Sequence, residues 1–401
     1  MKAGWKTEPL GELCEFQRGL TYAKSDEVDV SDNVVLRATN INLTTNLLNL
    51  AELKYINDKV AVPDSKKVKK DSLMICTASG SKSHLGKVAY IDDDYGYAFG
   101  GFMGMITPKN GLVPKYLFHL MTSSAYKDFI GDLSDGANIN NLKFDDLKQF
   151  QVPHPSPDEQ KRIVGLLDEA FTGIAAAKAN AEKNLQNARA LFESHLQTVF
   201  SRRPDEVSLA ELATDVTDGD HSPPPKAPSG VPFITISDIV KRTREVDFSN
   251  TFTVPAEYFR NLKPNKKPRV GDILYTVTGA TLGIPVLVRE QRDFCFQRHI
   301  GLIRPKPETD SAWLTYALLS PQVFRQATIG STGAAQKTVS LSVLRGLKVP
   351  KLPLTEQRQT AARLDALTAE TQRLDNIYEH KLAALEALKK SLLHQAFNGN
   401  L

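Results

Sequence analysis

The sequence predicts an α+β protein in which one unit is written twice. Two tandem α+β parts are each followed by a long helix, and the two helices pair as an antiparallel coiled coil in an internal pseudo-twofold repeat. Three observations predict this. A shift of 197 residues brings a long stretch of the chain into register with itself, carrying Val152-Pro153 onto Val349-Pro350 and Glu159-Gln160 onto Glu356-Gln357. Both copies open with short β-branched and aromatic runs cut by Gly, Pro, Asn and Asp, the pattern of strands and turns. Both close on a capped, proline-free stretch with room for a helix of about 40 residues.

The same register aligns Gly136-Ala137 with Gly333-Ala334, Leu167-Asp168 with Leu364-Asp365, Ala190-Leu191 with Ala387-Leu388, and Phe200 with Phe397. Upstream, Tyr116-Leu117 faces Trp313-Leu314 and Leu85-Gly86 faces Leu282-Gly283, and small gaps carry the match back to Leu10–Leu13 against Leu209–Leu212. A period this long marks a duplicated domain pair, not a solenoid of short repeats. The expected boundaries are 1–152 and 205–349 for the α+β parts, and 153–204 and 350–401 for the helical parts.

Within the α+β parts, Val34–Arg37, Leu73–Cys76, Pro232–Ile236 and Ile273–Val277 read as strands, and Pro114–Ile130 and Ser311–Ala327 as helices. The first long helix opens at Ser156-Pro157-Asp158-Glu159, which supplies an N-cap, a proline at the first helical position and a capping-box glutamate. The next proline is Pro204, leaving room for about 60 Å of helix. The second begins near Pro353-Leu354-Thr355-Glu356-Gln357 and runs to Phe397-Asn398-Gly399, with Gly399 as the stop. Ala181, Leu185, Ala188, Phe192, His195 and Val199 alternate four- and three-residue spacing, as do Tyr378, Leu382 and Leu385 and, less regularly, Leu388 and Leu392. That is the spacing of a coiled-coil seam.

The composition excludes several classes. A chain of 401 residues, 41% hydrophobic and 24% charged, is long enough for two to four globular units. No run approaches the roughly 18 apolar residues of a membrane span, and no apolar stretch follows the charged N-terminus, so a cytoplasmic protein without membrane contact is expected. Cys14, Cys76 and Cys295 lie far apart, without the spacing of a zinc site or disulfide framework. The net charge of +4 permits a nucleic-acid partner without demanding one.

A phosphate-binding loop, a nucleophile elbow and a His-Glu-x-x-His metal motif are all missing. The Gly-rich Ala98–Phe102 lacks dinucleotide spacing and reads as a tight turn; Asp92-Asp93-Asp94 reads as a solvated turn. What recurs is basic and polar loop chemistry at matching places. Lys66, Lys67, Lys69 and Lys70 precede one predicted strand; Lys266, Lys267 and Arg269 precede its counterpart. A lone charge run is ordinarily a solvated face, but two at equivalent positions are read as phosphate contacts. Next come Ser81, Lys82, Ser83 and His84 in the first copy and Thr278 and Thr281 in the second. The second copy adds Asp218, Gly219, His221 and Ser222, and Gln297, Arg298 and His299. Side chains of these types read base edges, and equally cap turns.

Two variable α+β parts, each followed by a long helix opening in Pro-x-x-Glu-Gln-Lys/Arg, resemble the specificity subunit of type I restriction–modification systems over the whole chain. The marks are Pro157–Ile163, Thr355–Arg358, Val270–Leu274 and the Asp218–Pro223 loop. The first copy departs at that loop, where it has Gln17–Tyr22, so Arg18 and Tyr22 become its candidates. The resemblance implies two target-recognition domains, each reading one half of a split, asymmetric site in double-stranded DNA. It implies helices that set the spacer and dock two methyltransferase subunits and two motor–nuclease subunits. Leu185, Leu191, Phe192, Leu196, Leu382, Leu385, Leu388 and Leu392 are the candidates for pairing and docking. S-adenosylmethionine, ATP and magnesium belong on those partners, and this chain is expected to bind no cofactor or metal and to have no catalytic centre. Three alternatives stay open: a specificity module of another restriction class, a self-sufficient methyltransferase, and a coiled-coil scaffold whose α+β parts bind protein or carbohydrate. The second would need donor-binding and Asn/Asp-Pro-Pro-aromatic motifs, to which Ser222-Pro223-Pro224-Pro225 is not equivalent.

Overall fold

The computed structural model describes residues 4–135, 141–201, 205–221, 224–333 and 337–401. Gly136-Ala137, Ala334, Pro204 and Ser222-Pro223 lie outside them, as does the side chain of Lys82. The chain forms two compact units, the first made of Met1–Ala181 with His380–Leu401 and the second of Glu182–Glu379.

The first unit is built on an antiparallel sheet whose strands lie in the order Cys14–Arg18, Met103–Pro108, Ser72–Cys76, Val88–Ile91. The second repeats that order with Ala213–Asp218, Ile300–Pro305, Ile273–Thr276 and Pro285–Leu287. Ser72–Cys76 and Ile273–Thr276 are buried throughout because both sheet faces are covered. Leu73 and Ile75 join the core under the helices, with Tyr116 and Leu117. Met74 and Cys76 point to the opposite core with Leu36 and Phe99. In the second unit Ile273 and Tyr275 pack on Trp313, and Leu274 on Ile234 and Phe296. The expected strands are present; each expected helix after the sheet proves to be two, Pro114–Leu120 with Ser124–Asp135, and Ser311–Leu319 with Pro321–Ile329. In the second unit the break is local chemistry: Ser320 Oγ accepts from the Val323 amide, and Pro321 bars the preceding residue from continuing the helix.

The long helices are Pro157–Phe200, 44 residues, and Leu354–Asn398, 45 residues. The repeated Glu-Gln acquires a structural reason here. Gln160 is fully buried; its Oε1 accepts from the Val113 amide at 2.7 Å and its Nε2 donates to the carbonyls of Gly111 and Pro155 at 2.9 Å. Gln357 does the same, accepting from the Asp310 amide at 2.7 Å and donating to Leu352 O at 2.8 Å. Each glutamine satisfies backbone groups in the helical layer under the sheet and ties the helix start to it. The second helix ends with Gly399 at φ 76° and Asn400 N donating to Gln395 O at 2.9 Å, a Schellman stop.

Within each unit the helical segments run antiparallel. In the first, Ile163, Val164 and Leu167 share a core with Leu393, Ala396 and Phe397, and Lys178 pairs with Glu386 at 2.7 Å. In the second, Leu196 and Phe200 share a core with Ala361 and Leu364, and Arg189 pairs with Asp375 at 3.1 Å. Each unit is therefore completed by the last turns of the helix that began in the other copy. Phe397 meets the Tyr116 ring edge-on at 5.2 Å, and Phe200 lies 6.3 Å from the Trp313 ring. The seam departs from its expected spacing: Ala181, Ala188 and Phe192 are buried, but His195 is exposed and Leu196 and Phe200 are buried instead. The helix end packs on a globular core, where contacts follow the 3.6-residue period, not the 3.5 of a supercoil. Leu185, Leu382, Leu385 and Leu392 are half-buried, whereas Leu191 (63% exposed) and Leu388 (47%) lie off the pairing face.

One equivalent pair differs in chemistry. His119 Nε2 bonds Asp168 Oδ1 at 2.8 Å, while Tyr316 OH donates to Asp365 Oδ1 at 2.7 Å. Burial holds His119 below the ordinary histidine pKa, against the opposing pull of the Asp168 hydrogen bond and charge. The unfolded chain then takes up the proton first, at about pH 6.5, so the stability linked to His119 is complete above that pH and is lost as pH falls toward the folded value. His119→Tyr, borrowing the second unit's solution, is expected to flatten this part of the profile. Urea midpoints of the two proteins that diverged equally above and below pH 6.5 would refute it.

Candidate nucleic-acid interface

Beyond the first strand of each sheet the chain enters the same backbone frame twice. In the first unit Gly19 N donates to Met103 O at 3.0 Å and Leu20 N to Phe99 O at 2.7 Å. In the second, Gly219 N donates to Ile300 O at 3.3 Å and Asp220 N to Phe296 O at 3.0 Å. A Cβ on Gly19 would lie 2.0 Å from Gly100 O, and one on Gly219 2.0 Å from Phe296 O, so only glycine fits this approach. The lysine runs reach the same place: Lys66 Nζ donates to Arg18 O at 2.9 Å, and Lys266 Nζ to Gly219 O at 3.0 Å. A third segment joins them. Thr77 N donates to Phe102 O at 2.9 Å, and Val277 N to His299 O at 3.0 Å. In each unit, three loops distant in sequence converge at one end of the sheet.

On that frame the second unit carries a polar cluster. His221 Nε2 lies 2.6 Å from Asp218 Oδ2, Tyr258 OH donates to Asp220 Oδ2 at 2.8 Å, and Arg298 N donates to Asp220 O at 3.1 Å. Lys266 is also 3.9 Å from Asp218. Arg298 and His221 are exposed, and Gln297 and His299 are half-buried. Burial and then the neighbouring Arg298 charge hold His299 below the ordinary pKa, leaving a neutral imidazole able both to donate and to accept. Asp218, Gly219, His221, Lys266, Gln297, Arg298 and His299 are thus brought together. Arg269 is exposed, while Lys267 is committed to Arg260 O at 2.7 Å. Thr278 is buried, its hydroxyl 3.2 Å from that of Thr338, and the Thr281 hydroxyl is buried. Those two threonines build the loop and do not face outward.

In the first unit Arg18 is exposed, its guanidinium 5.3 Å from the Phe144 ring centroid. Tyr22 is half-buried, and its pKa is raised chiefly by that burial. Lys67 pairs with Asp64 at 2.9 Å, while Lys69 and Lys70 stand exposed. Ser81 and Ser83 bond each other at 2.8 Å, beside half-buried His84, in the loop that leaves Thr77-Ala78. Ser222 is outside the described residues. Sequence reasoning took Asp220 only as part of the Asp218–Pro223 loop and missed Tyr258 and Phe102. For Phe102 the signal is the register itself, which sets it against His299. Among the described residues no group of three or more His, Cys, Asp or Glu is placed to hold a metal, and no helix is long and apolar enough to cross a membrane.

A duplicated loop frame on two like sheets, tied to antiparallel helices, defines a class. The model of the type I restriction modification DNA specificity domain matches residues 2–185 and 216–382, and the chain belongs to that family of specificity subunits. It is 26% identical over 423 residues to the type I restriction enzyme EcoKI specificity subunit of Escherichia coli (strain K12), covering 99% of this chain and 89% of that one. Likeness to the StySPI specificity subunit of Salmonella potsdam is equal, 26% over 422 residues with the same coverage. The fold is shared with a chain solved in work on assembly and conformational transition of the type I R-M system, at TM-score 0.79 and 20% identity over 100% of this chain and 99% of that one. It is shared too with the HsdS subunit from Thermoanaerobacter tengcongensis, at TM-score 0.62 and 20% identity over 100% and 98%.

Proposed function

We propose that this chain is the non-catalytic reader of a type I restriction–modification complex, each unit recognising one half of a bipartite, asymmetric site in double-stranded DNA. One observation carries the reading: the same three-loop frame occurs twice with different side chains on it, Arg18 and Phe102 in one, Asp218, Arg298 and His299 in the other. A shared frame with different hydrogen-bonding groups is what two readers of different base sequences need. The lysine runs supply phosphate contacts, and Lys66 and Lys266 also brace the loops that read. The paired helices set the length of the unread spacer and dock two methyltransferase and two motor–nuclease subunits. S-adenosylmethionine, ATP and magnesium are held by those partners.

Methylation-sensitive sequencing of a genome carrying the complete system tests this. Exchanging residues 1–150 for those of a relative is expected to change one half-site and leave the other and the spacer intact. A change in both halves would end the modular reading, and absence of any sequence-specific methylation would end the reader assignment itself.

A further inference from the structure

Phe102 is 74% exposed, among the most exposed large apolar side chains of the described residues. It follows Gly100-Gly101 and sits in the frame that holds the charged Arg18 and Lys66. Its backbone is nevertheless tightly held. The carbonyl of Phe102 accepts from Thr77 N at 2.9 Å, Thr77 Oγ1 at 3.0 Å and Ala78 N at 3.1 Å. The strand that follows is paired at once, Met103 against Cys76. A ring in water on a fixed backbone gains nothing for the folded monomer, and it loses little freedom on contact because its mounting is already ordered. The matching position in the second unit is His299, fixed by the equivalent bond from Val277 N and the equivalent pairing of Ile300 with Thr276. The same mount therefore carries a polar group in one unit and an apolar one in the other.

We propose that Phe102 is a specificity-determining residue of the first unit that reads a thymine through apolar contact of its ring with the 5-methyl group. This rests on the DNA-reading role proposed above. In the major groove the thymine methyl is the one apolar mark a base pair presents, and phenylalanine is a side chain suited to it. Exposed Gly101, directly before it, has no side chain to hold the backbone away from the duplex, and exposed Arg18 and Lys69 supply charge for phosphates.

The test uses the assembled subunit–methyltransferase complex and duplexes of the site it methylates, with each thymine of the first unit's half-site replaced in turn by deoxyuridine, which lacks only the methyl. For the unaltered complex, one replacement is expected to weaken binding about fourfold, the value of one buried methyl group. In Phe102→Ala binding to the thymine duplex falls by at least as much, and that replacement has no further effect; Phe102→Leu retains part of both. Three results would overturn the inference: unchanged binding by Phe102→Ala, a deoxyuridine effect that persists in Phe102→Ala, or weakened assembly with the methyltransferase subunits in place of weakened DNA binding. If the unaltered complex itself shows no sequence preference, the DNA-reading role fails first. Replacements in the other half-site are expected to act equally on both proteins, which shows that the second unit is intact.

Discussion

Replacing Phe397 with alanine is expected to loosen the first unit by about 3–5 kcal/mol, although residue 397 stands at the far end of the chain from most of that unit. Its ring is 6% exposed and packs on Tyr116 among Leu393, Ala396 and Leu167. Removing it leaves a cavity in a core that the sheet and both helical segments hold open, so relaxation is limited. The mirror experiment is Phe200→Ala, which removes a 2% exposed ring from beside Trp313 in the second unit. Hydrogen exchange at the central strands reads both. Phe397→Ala should lower protection of Ser72–Cys76 and spare Ile273–Thr276, and Phe200→Ala should do the reverse. If Phe397→Ala lowered protection of Ile273–Thr276 instead, or Phe200→Ala that of Ser72–Cys76, the assignment of the helix ends to these cores would be wrong.

The second large effect concerns an ion pair found in one unit only. Asp272, with a side chain 3% exposed, receives Arg304 Nε at 2.9 Å and Nη2 at 2.7 Å, and caps the Arg269 amide at 2.9 Å. Arg304 also donates to Lys267 O at 2.9 Å, so this pair anchors the basic loop. The equivalent residues of the first unit are Ser72 and Thr107, whose hydroxyls are 3.0 Å apart. Asp272→Ser is expected to cost about 3 kcal/mol, the lower part of the range for stranding a buried charge. The discount reflects Asp215, 3.7 Å from Arg304, which remains to face it. The double variant Asp272→Ser with Arg304→Thr installs the first unit's neutral pair and should recover most of the loss. A double-mutant cycle in urea measures the coupling; additive losses would show that the two side chains act independently. Because Lys267 and Arg269 ride on this anchor, the single variant should also weaken phosphate-dependent DNA binding by the second unit, and the double variant less so.

The repeat, the strand and helix classes and both long helices could be read directly, because each rests on a local pattern: apolar period, capping residues and missing prolines. Gly399 and Ser156-Pro157 mark helix ends whatever surrounds them. The split of Ser311–Ala327 was also encoded locally, in Ser320-Pro321, and was overlooked because the apolar pattern runs across it. The interface was visible only in part. Lys66 and Lys266 are legible by type and matching position, Asp218 and Arg298 by type alone, but type does not say which of them face outward. Lys66 turns inward to Arg18 O, and Thr278 is buried.

Local chemistry along the chain thus determines the doubled architecture, since hydrogen-bond periodicity and backbone stops act over a few residues. Only the tertiary structure decides that Gln160 and Gln357 clamp the long helices to the segments that open the helical layer, that Phe397 packs on Tyr116 some 280 residues earlier, and that Lys66 and Lys266 brace loops far from them in sequence. Those are pairings between segments remote in sequence. Their partners are chosen by which surfaces packing brings together, and no local pattern records that choice.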